Sequence, residues 1–564
     1  MGLAVRFVIF LIAATMSFAQ TKVAPDLKDQ LGRMVRAPQT PVDVIIQFPK
    51  GMDKDLLKLM GPYGKVKKQF TRIPAINVQL PSGVLKLLEA SPLIKYITPN
   101  RTTKGALDLA TGTTYAPYSW TSGWDGTGIG VAVIDSGITP DADLLNGSQQ
   151  TRVVYSESFL DDPSTADKYG HGTHVAGIIG SAGRDSSGTG FLRTFKGVAP
   201  NVNLLNLRVL DQNGSGPESA VIAAIQRAIE LKNTYNIRVI NLSLGRPIYE
   251  SYTLDPLCQA VEAAWQAGIT VVVAAGNHGR DNTQGTKGYA TISSPANDPY
   301  VITVGATKMK NNTNRADDGV ASYSSKGPTR IDHIAKPDLV APGTNIISIL
   351  SPTSTMSTLY PQNMVKENVY KQNGTAATGQ YLKLSGTSMA TPVVAGAVAL
   401  LLQKTPSLTP DQVKARLMKT ASKSFAAYSN YYHAASGITY YGQYDIFSAG
   451  AGYLDLMAAL NNNDLVTKPA KSPTAYYNPV TRKITVVRDM SVVWGDSVVW
   501  GDSVVWGDSV FVSGSSVVWG DSVVWGDSTL AGFSVVWGDS VTYNPALQAY
   551  ADLQGMSAGI EGEE

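Results

Sequence analysis

Cysteine is almost absent from this chain of 564 residues, where Cys258 stands alone. No disulfide can form within the chain, so stability must come from packing or from bound ions. Cys258 opens an amphipathic helical stretch with no histidine nearby in sequence, which reads as a small buried hydrophobe and not a nucleophile. Charge is scarce as well. Only 16% of residues are Asp, Glu, Lys or Arg, the net charge is +3, and no block of Lys and Arg occurs. A nucleic-acid partner is therefore not expected. Long apolar runs are missing beyond the N-terminus, and no later stretch approaches the ~18 residues of a membrane span. Histidine is rare, at five residues, so any clustering of it is informative.

What is present begins with a leader. Arg6 precedes an apolar run from Phe7 to Met16, and Ser17-Phe18-Ala19 supplies small residues ahead of a cut before Gln20. That is the pattern of a signal peptide over 1–19, implying a secreted, extracellular protein. Export without disulfides fits a bacterium better than a eukaryote. With 43% apolar residues the mature chain is rich enough for packed cores, and its length suggests two to four folding units.

Residues 20–104 hold a polar lead and a small α/β unit with its core at 42–99. Strands are expected at Val42–Phe48, Ala75–Leu80 and Leu93–Thr98, and helices at Asp53–Leu59 and Ser82–Ala90, with Ser82 as the cap. Over 105–462, near-continuous apolar runs at Gly130–Asp135, Val202–Leu210, Val239–Leu244 and Ile269–Ala275 alternate with helical segments. Strands that apolar are buried on both faces, as in a parallel sheet with helices on both faces. Thr387–Gln403 and Thr409–Ala421 read as further helices, with Asp411 placed for the dipole of the second. From 463 to 564 come a linker and a repeat, Ser-Val-Val-Trp-Gly-Asp, which carries Trp494, Trp500, Trp506, Trp519, Trp525 and Trp537.

Three segments place reactive side chains at element ends. Val131-Ala-Val-Ile-Asp135-Ser-Gly ends a buried strand in a carboxylate, where α/β proteins build sites; alone, Asp135 reads equally as a turn residue. His171-Gly-Thr-His174 opens a helix of small residues with two of the rare histidines. A zinc pair would need i, i+4 spacing and a further ligand, and neither is present. Leu384-Ser-Gly-Thr-Ser388-Met-Ala-Thr-Pro puts a serine at a helix start, near N–H groups able to stabilise an oxyanion, although Ser385, Thr387 and Ser388 are all ordinary cap types.

Taken together, in the order Asp, His, Ser, these segments closely resemble the signature segments of subtilisin-like serine peptidases, over about residues 120–460. The resemblance implies a subtilisin-like fold and an Asp135–His171–Ser388 triad acting on protein or peptide substrates, with His174 a packed helix residue. It implies that Asn277, in Val271-Val-Val-Ala-Ala-Gly276-Asn277, donates to the oxyanion. It matches Ser243-Leu244-Gly245 to the edge that pairs with substrate backbone, Ala274-Ala275-Gly276 to the opposite pocket wall and Ser293 to the pocket floor. No acidic residue lies in these segments, so cleavage is expected to be broad and to favour apolar or aromatic side chains. Arg246 is expected to make one cleft edge cationic, and His278 to perturb the pH profile. The long stretches Ser351–Gly379 and Tyr428–Tyr444 are expected to be surface insertions around the cleft. No cofactor is needed for the chemistry; Asp143 matches a calcium-ligating carboxylate of relatives, though the loop 183–190 gives no clear partner ligands.

By the same resemblance, the 42–99 unit is a ferredoxin-like inhibitory propeptide, an intramolecular partner released by self-cleavage between Asn100 and about Thr114. An independent binding domain is the alternative. The tail reads either as stacked three-residue strands, aligning tryptophans in one row and Asp496, Asp502 and Asp508 in another, or as a weakly ordered appendage. Two other readings of the whole remain: a dedicated processing protease, and a surface binding protein whose tail carries the function.

Overall fold

The computed structural model describes most of residues 22–49, 63–99 and 107–478, and beyond them the short strands 483–487, 503–505, 522–524 and 553–555. The leader at 1–19, the helix expected at Asp53–Leu59, the repeat tryptophans and Asp496, Asp502 and Asp508 lie outside the described residues. The chain divides into two units, Met1–Thr103 and Lys104–Glu564.

The first unit is an antiparallel sheet. Strands β1 (Pro41–Gln47), β2 (Lys65–Gln69), β3 (Ala75–Pro81) and β4 (Tyr96–Pro99) lie in the order β2-β3-β1-β4. Alternation along β1 turns Val42, Val44 and Ile46 into the core, where they meet Ile76, Val78 and Leu80. Helix α1 (Ser82–Glu89) adds Leu85 and Leu88 and connects β3 to β4, which gives the strand order of a split βαβ unit. Strand β2, Lys-Val-Lys-Lys-Gln, has no apolar alternation and is held by backbone pairing with β3. Ser82 is not the cap of α1. Pro81 occupies that position without a side-chain bond, and Ser82 Oγ instead donates to the carbonyl of Ala37 at 3.2 Å.

The second unit is built on one large sheet. Its strands are β5 (Gly130–Asp135), β6 (Val153–Ser158), β7 (Asn203–Arg208), β9 (Ile237–Leu242), β11 (Thr270–Ala274), β12 (Ile302–Lys308), β13 (Gly319–Val320) and β14 (Leu339–Pro342). Two-residue strands β8 (Ser215–Gly216) and β10 (Leu244–Gly245) stand apart from it. The order is β13-β12-β11-β9-β5-β7-β6, with β14 also on β12, and every pair is parallel except β12–β13. All residues of β5 and β11 are buried, each larger aliphatic side chain contributing about 1.5–3 kcal/mol of burial. Strand β6 escaped the sequence reading because it is a half-exposed polar edge, and β12 because Gly305 and two threonines interrupt its apolar run.

Helix α2 (His171–Gly180) joins β6 to β7, α3 (Glu218–Glu230) leads from β7 toward β9, and α4 (Pro256–Gln266) joins β9 to β11. Helices α3 and α4 pack on each other and on β9 and β11, and α2 packs on β5. Helix α5 (Thr387–Lys404) packs on α2 and on β9, β11, β12 and β14, and is buried on nearly every side. Helix α6 (Pro410–Thr420) starts with a capping box between Thr409 and Gln412, with Asp411 in its first turn. Cys258 is fully buried on α4, and burial pushes its thiol pKa far up, as a core residue requires.

A charged knot takes the place of covalent staples. Asp338 is fully buried between Lys336 Nζ at 2.7 Å and Lys414 Nζ at 3.2 Å. Lys414 also donates to the carbonyls of Pro299, Tyr300 and Val301, tying α6 to the segment before β12. Burial raises the Asp338 carboxyl pKa, but the two ammonium groups outweigh it and hold the group ionised. Asp338→Ala leaves two buried cations uncompensated and is expected to cost about 3–5 kcal/mol, read from the urea midpoint.

Candidate active site

The carboxyl ends of three neighbouring strands set out the site. Ile134, Leu242 and Val273 lie side by side across β5, β9 and β11, so the residues that follow them, Asp135, Ser243 and Ala274, leave the same edge of the sheet. Strand order reverses about β5, where open parallel sheets form their crevices.

Asp135 is buried and points at the first residue of α2. Its two oxygens lie 2.8 and 3.0 Å from His171 Nδ1, which must therefore carry the proton. Burial alone lowers the His171 pKa; the Asp135 charge, its hydrogen bond and the more distant Asp167 charge reverse this and raise it above the ordinary histidine value. His171 Nε2 has no hydrogen-bond partner among the described residues. His174 is packed: its Nε2 lies 3.0 Å from the Leu382 carbonyl and 3.2 Å from that of Ile346. Burial and the neighbouring His171 push its pKa down to about 3, so it stays neutral.

A residue absent from the sequence reading holds this geometry. The buried carboxylate of Asp167 accepts from Gly170 N–H, Thr173 N–H and Ser136 Oγ at 2.7–2.8 Å. Ser136 Oγ in turn accepts from Gly172 N–H at 2.9 Å. Asp167 thus ties the start of α2 to the turn after β5. Its only signal in the sequence is an acid just before a helix start, a common feature of helices.

Ser388 is the second residue of α5. Its Oγ donates to the Ser243 carbonyl at 3.2 Å, and Ser243 Oγ donates back to the Ser388 carbonyl at 2.9 Å. Asn277 Oδ1 accepts from the Thr387 N–H at 2.9 Å and from Thr387 Oγ1 at 3.1 Å. The backbone donor fixes the amide orientation, so the oxygen is committed to α5 and the NH₂ lies on the other side. Gly276 has φ +113°, and a Cβ there would meet the hydroxyls of Ser293 and Ser325, each at 2.7 Å. The close approach brings Gly276 against Ser293, whose N–H donates to the Ala275 carbonyl at 3.1 Å.

Three expectations change. Arg246 does not make a cationic edge: it is almost fully buried, and its guanidinium is matched by Glu218 at 3.0 Å, Glu250 at 3.1 Å and Asp255 at 2.9 Å. The stretch from Ser351 is more than a surface insertion. Ser351 Oγ donates to the Asp167 carbonyl at 2.8 Å, Met356 N–H donates to that of Tyr169, and Met356 and Tyr370 are buried, so this stretch supports the loop leading into His171. Tyr428–Tyr444 contains a hairpin whose Tyr431 and Tyr440 rings stack near Arg280 at 4.6 and 5.3 Å. The loop 183–190 does supply a partner for Asp143. Asp141, Asp143 and Asp185 bring carboxylate oxygens within 4.8 Å of one another. His278 exposes its side chain, while its N–H donates to Ser325 Oγ at 3.1 Å.

A parallel sheet with Asp, His and Ser brought to one edge in this manner is the architecture of a hydrolytic α/β enzyme. The model of the subtilase family matches residues 126–450, and the chain belongs to that family and is a serine-type endopeptidase. It is 37% identical over 397 residues to the serine protease AprX of Bacillus subtilis (strain 168), covering 68% of this chain and 83% of that protein. It is 35% identical to an alkaline protease of Alkalihalobacillus alcalophilus, covering 63% and 76%, and 34% identical to subtilisin E of Bacillus subtilis (strain 168), covering 65% and 80%. Among the described residues, no helix is long and apolar enough to cross a membrane.

Because Asp167 holds the helix start, Asp167→Ala is expected to lower kcat on a peptide substrate by about 10²-fold, the scale of a 1 Å misplacement, with KM little changed.

Proposed function

We propose that the chain hydrolyses peptide bonds through an acyl-enzyme on Ser388, with His171 as base and acid, Asp135 as its orienting partner and Asn277 as oxyanion donor. The observation that carries this reading is the buried Asp135–His171 pair, at 2.8 Å, on the sheet edge whose next strand end, Ser243, is bonded to Ser388. A hydroxyl is a weak nucleophile at neutral pH, so His171 Nε2 takes the Ser388 proton as Oγ attacks the scissile carbonyl carbon. Oγ leaves the Ser243 carbonyl for Nε2 in that step, a tightening expected on substrate binding. The imidazolium that forms is stabilised by Asp135 and passes the proton to the leaving amine. Water then repeats the sequence on the ester. The negative oxygen of each tetrahedral intermediate takes hydrogen bonds from the Asn277 NH₂ and the Ser388 N–H.

Specificity follows from neutral walls. Ser243–Gly245, Ala274–Gly276 and Ser293 offer no charge to a basic side chain, which supports broad cleavage favouring apolar or aromatic residues. A strong preference for Lys or Arg in a peptide library would overturn that part. The leader supports secretion, and the split βαβ unit supports an inhibitory propeptide removed by self-cleavage. The carboxylates of Asp141, Asp143 and Asp185 are hard oxygen donors that suit a structural calcium, although they supply only part of the ~6–8 oxygens it takes. Burial and the neighbouring Asp143 and Asp185 charges push Asp141 up to about 7, a repulsion that a bound cation relieves. A chelator should therefore lower Tm; no change on chelation removes the calcium.

Ser388→Ala should abolish labelling by a fluorophosphonate and leave an uncleaved precursor by intact mass; maturation of that variant when purified would exclude self-processing. Since the base must be neutral and its pKa is raised, kcat/KM should rise with pH through a value above the ordinary ~6.5. Asp135→Asn should move that limb down and lower kcat by about 10⁴, while Asn277→Ala should cost about 10²–10³.

A further inference from the structure

Strands β8 and β10 are not bonded to each other. Between them runs a third strand, Leu553–Gly555, from the far C-terminal end of the chain. Gln554 is paired with Gly245 and Gly555 with Leu244 on one side; Leu553 is paired with Gly216 and Gln554 with Ser215 on the other. Both pairings are antiparallel. A gap one strand wide between two short edges is filled by an extended segment that pairs through its main chain alone.

The direction of the inserted strand is informative. β10 leads away from Ser243, whose carbonyl accepts from Ser388 Oγ. An antiparallel partner therefore runs toward Ser243, and the C-terminal segment approaches Ser388 with the polarity of the acyl half of a substrate. Gly555 stands opposite Leu244, one residue short of Ser243. Leu553–Gly555 carries no charged side chain, in keeping with the neutral walls.

We propose that Leu553–Gly555 is a built-in competitive occupant of the acyl-side substrate groove, so that the enzyme carries at its C-terminus a segment that peptide substrates must displace. This rests on the reading of Ser243–Gly245 as the substrate-pairing edge. A segment joined to the enzyme through its own chain has an effective concentration of about millimolar, so a strand that binds at a tenth of that concentration raises the apparent KM about tenfold.

The test compares full-length enzyme, shown by intact mass to retain Gly555, with enzyme ending at Tyr550, using one chromogenic peptide. Truncation should lower KM about tenfold with kcat unchanged, and Gln554→Pro in the full chain, which removes a paired N–H, should do the same. A synthetic peptide spanning Tyr550–Gly555 should inhibit the truncated enzyme competitively. An unchanged KM on truncation, or a change confined to kcat, overturns the proposal. Gly245→Pro in the truncated enzyme separates the two readings. A raised KM, with fluorophosphonate labelling of Ser388 retained, upholds the groove even if the tail proves not to fill it. An unaltered KM shows that the groove itself was misassigned, and the proposal falls with it.

Discussion

The arrangement depends on how closely the start of α2 approaches the turn after β5. A Cβ on Gly172 would lie 2.2 Å from the Gly137 carbonyl oxygen and 3.2 Å from the Asp135 Cβ. Only a residue without a side chain allows the helix to begin there, and only that position brings His171 Nδ1 within hydrogen-bond reach of the Asp135 carboxylate. The small residues of α2 thus serve the chemistry by permitting contact. The same economy appears at Gly276, whose absent side chain leaves room for the Ser293 and Ser325 hydroxyls.

Around these contacts, buried polar groups are satisfied in networks that join distant parts of the sequence. Asp167 links Ser136, Gly170 and Thr173, and Ser351 fastens onto its carbonyl. Asp143 accepts from Ser181, from the Asp185 N–H and from Tyr381. Arg246 gathers Glu218, Glu250 and Asp255. In a chain with a single cysteine, such knots fix the register of segments that packing alone would leave free to slide. Each is costly when half made, which favours one arrangement of the chain over near alternatives.

Much of this was legible in the sequence for a physical reason. Strands buried on both faces, such as β5 and β11, advertise themselves as apolar runs, and the reactive residues sit at their ends or at the starts of helices made of small residues. Asp135, His171, Ser388 and Asn277 stand out as candidates because the segments around them are constrained in composition as well as in position. What escaped was whatever takes its meaning from a remote partner. Asp167 is an unremarkable acid until Ser136 and Thr173 are beside it, and Arg246 looked like surface charge because its carboxylates come from three other places in the chain. Strands β2 and β6 owe their structure to a neighbour's backbone. In the tail, Ser503–Val505 and Ser522–Val524 pair in parallel with like residues opposite one another.

The groove we propose at the edges of β8 and β10 reads a polypeptide through the one feature that all polypeptides share. It has little means of telling foreign chain from its own. What protects the enzyme's other segments is that they are folded, with their backbone groups already paired and unable to lie extended. Local unfolding then takes on a second meaning here: the rate at which any surface segment frays is also the rate at which it becomes food for a neighbouring molecule. For such an enzyme, conformational stability and immunity to itself are the same quantity.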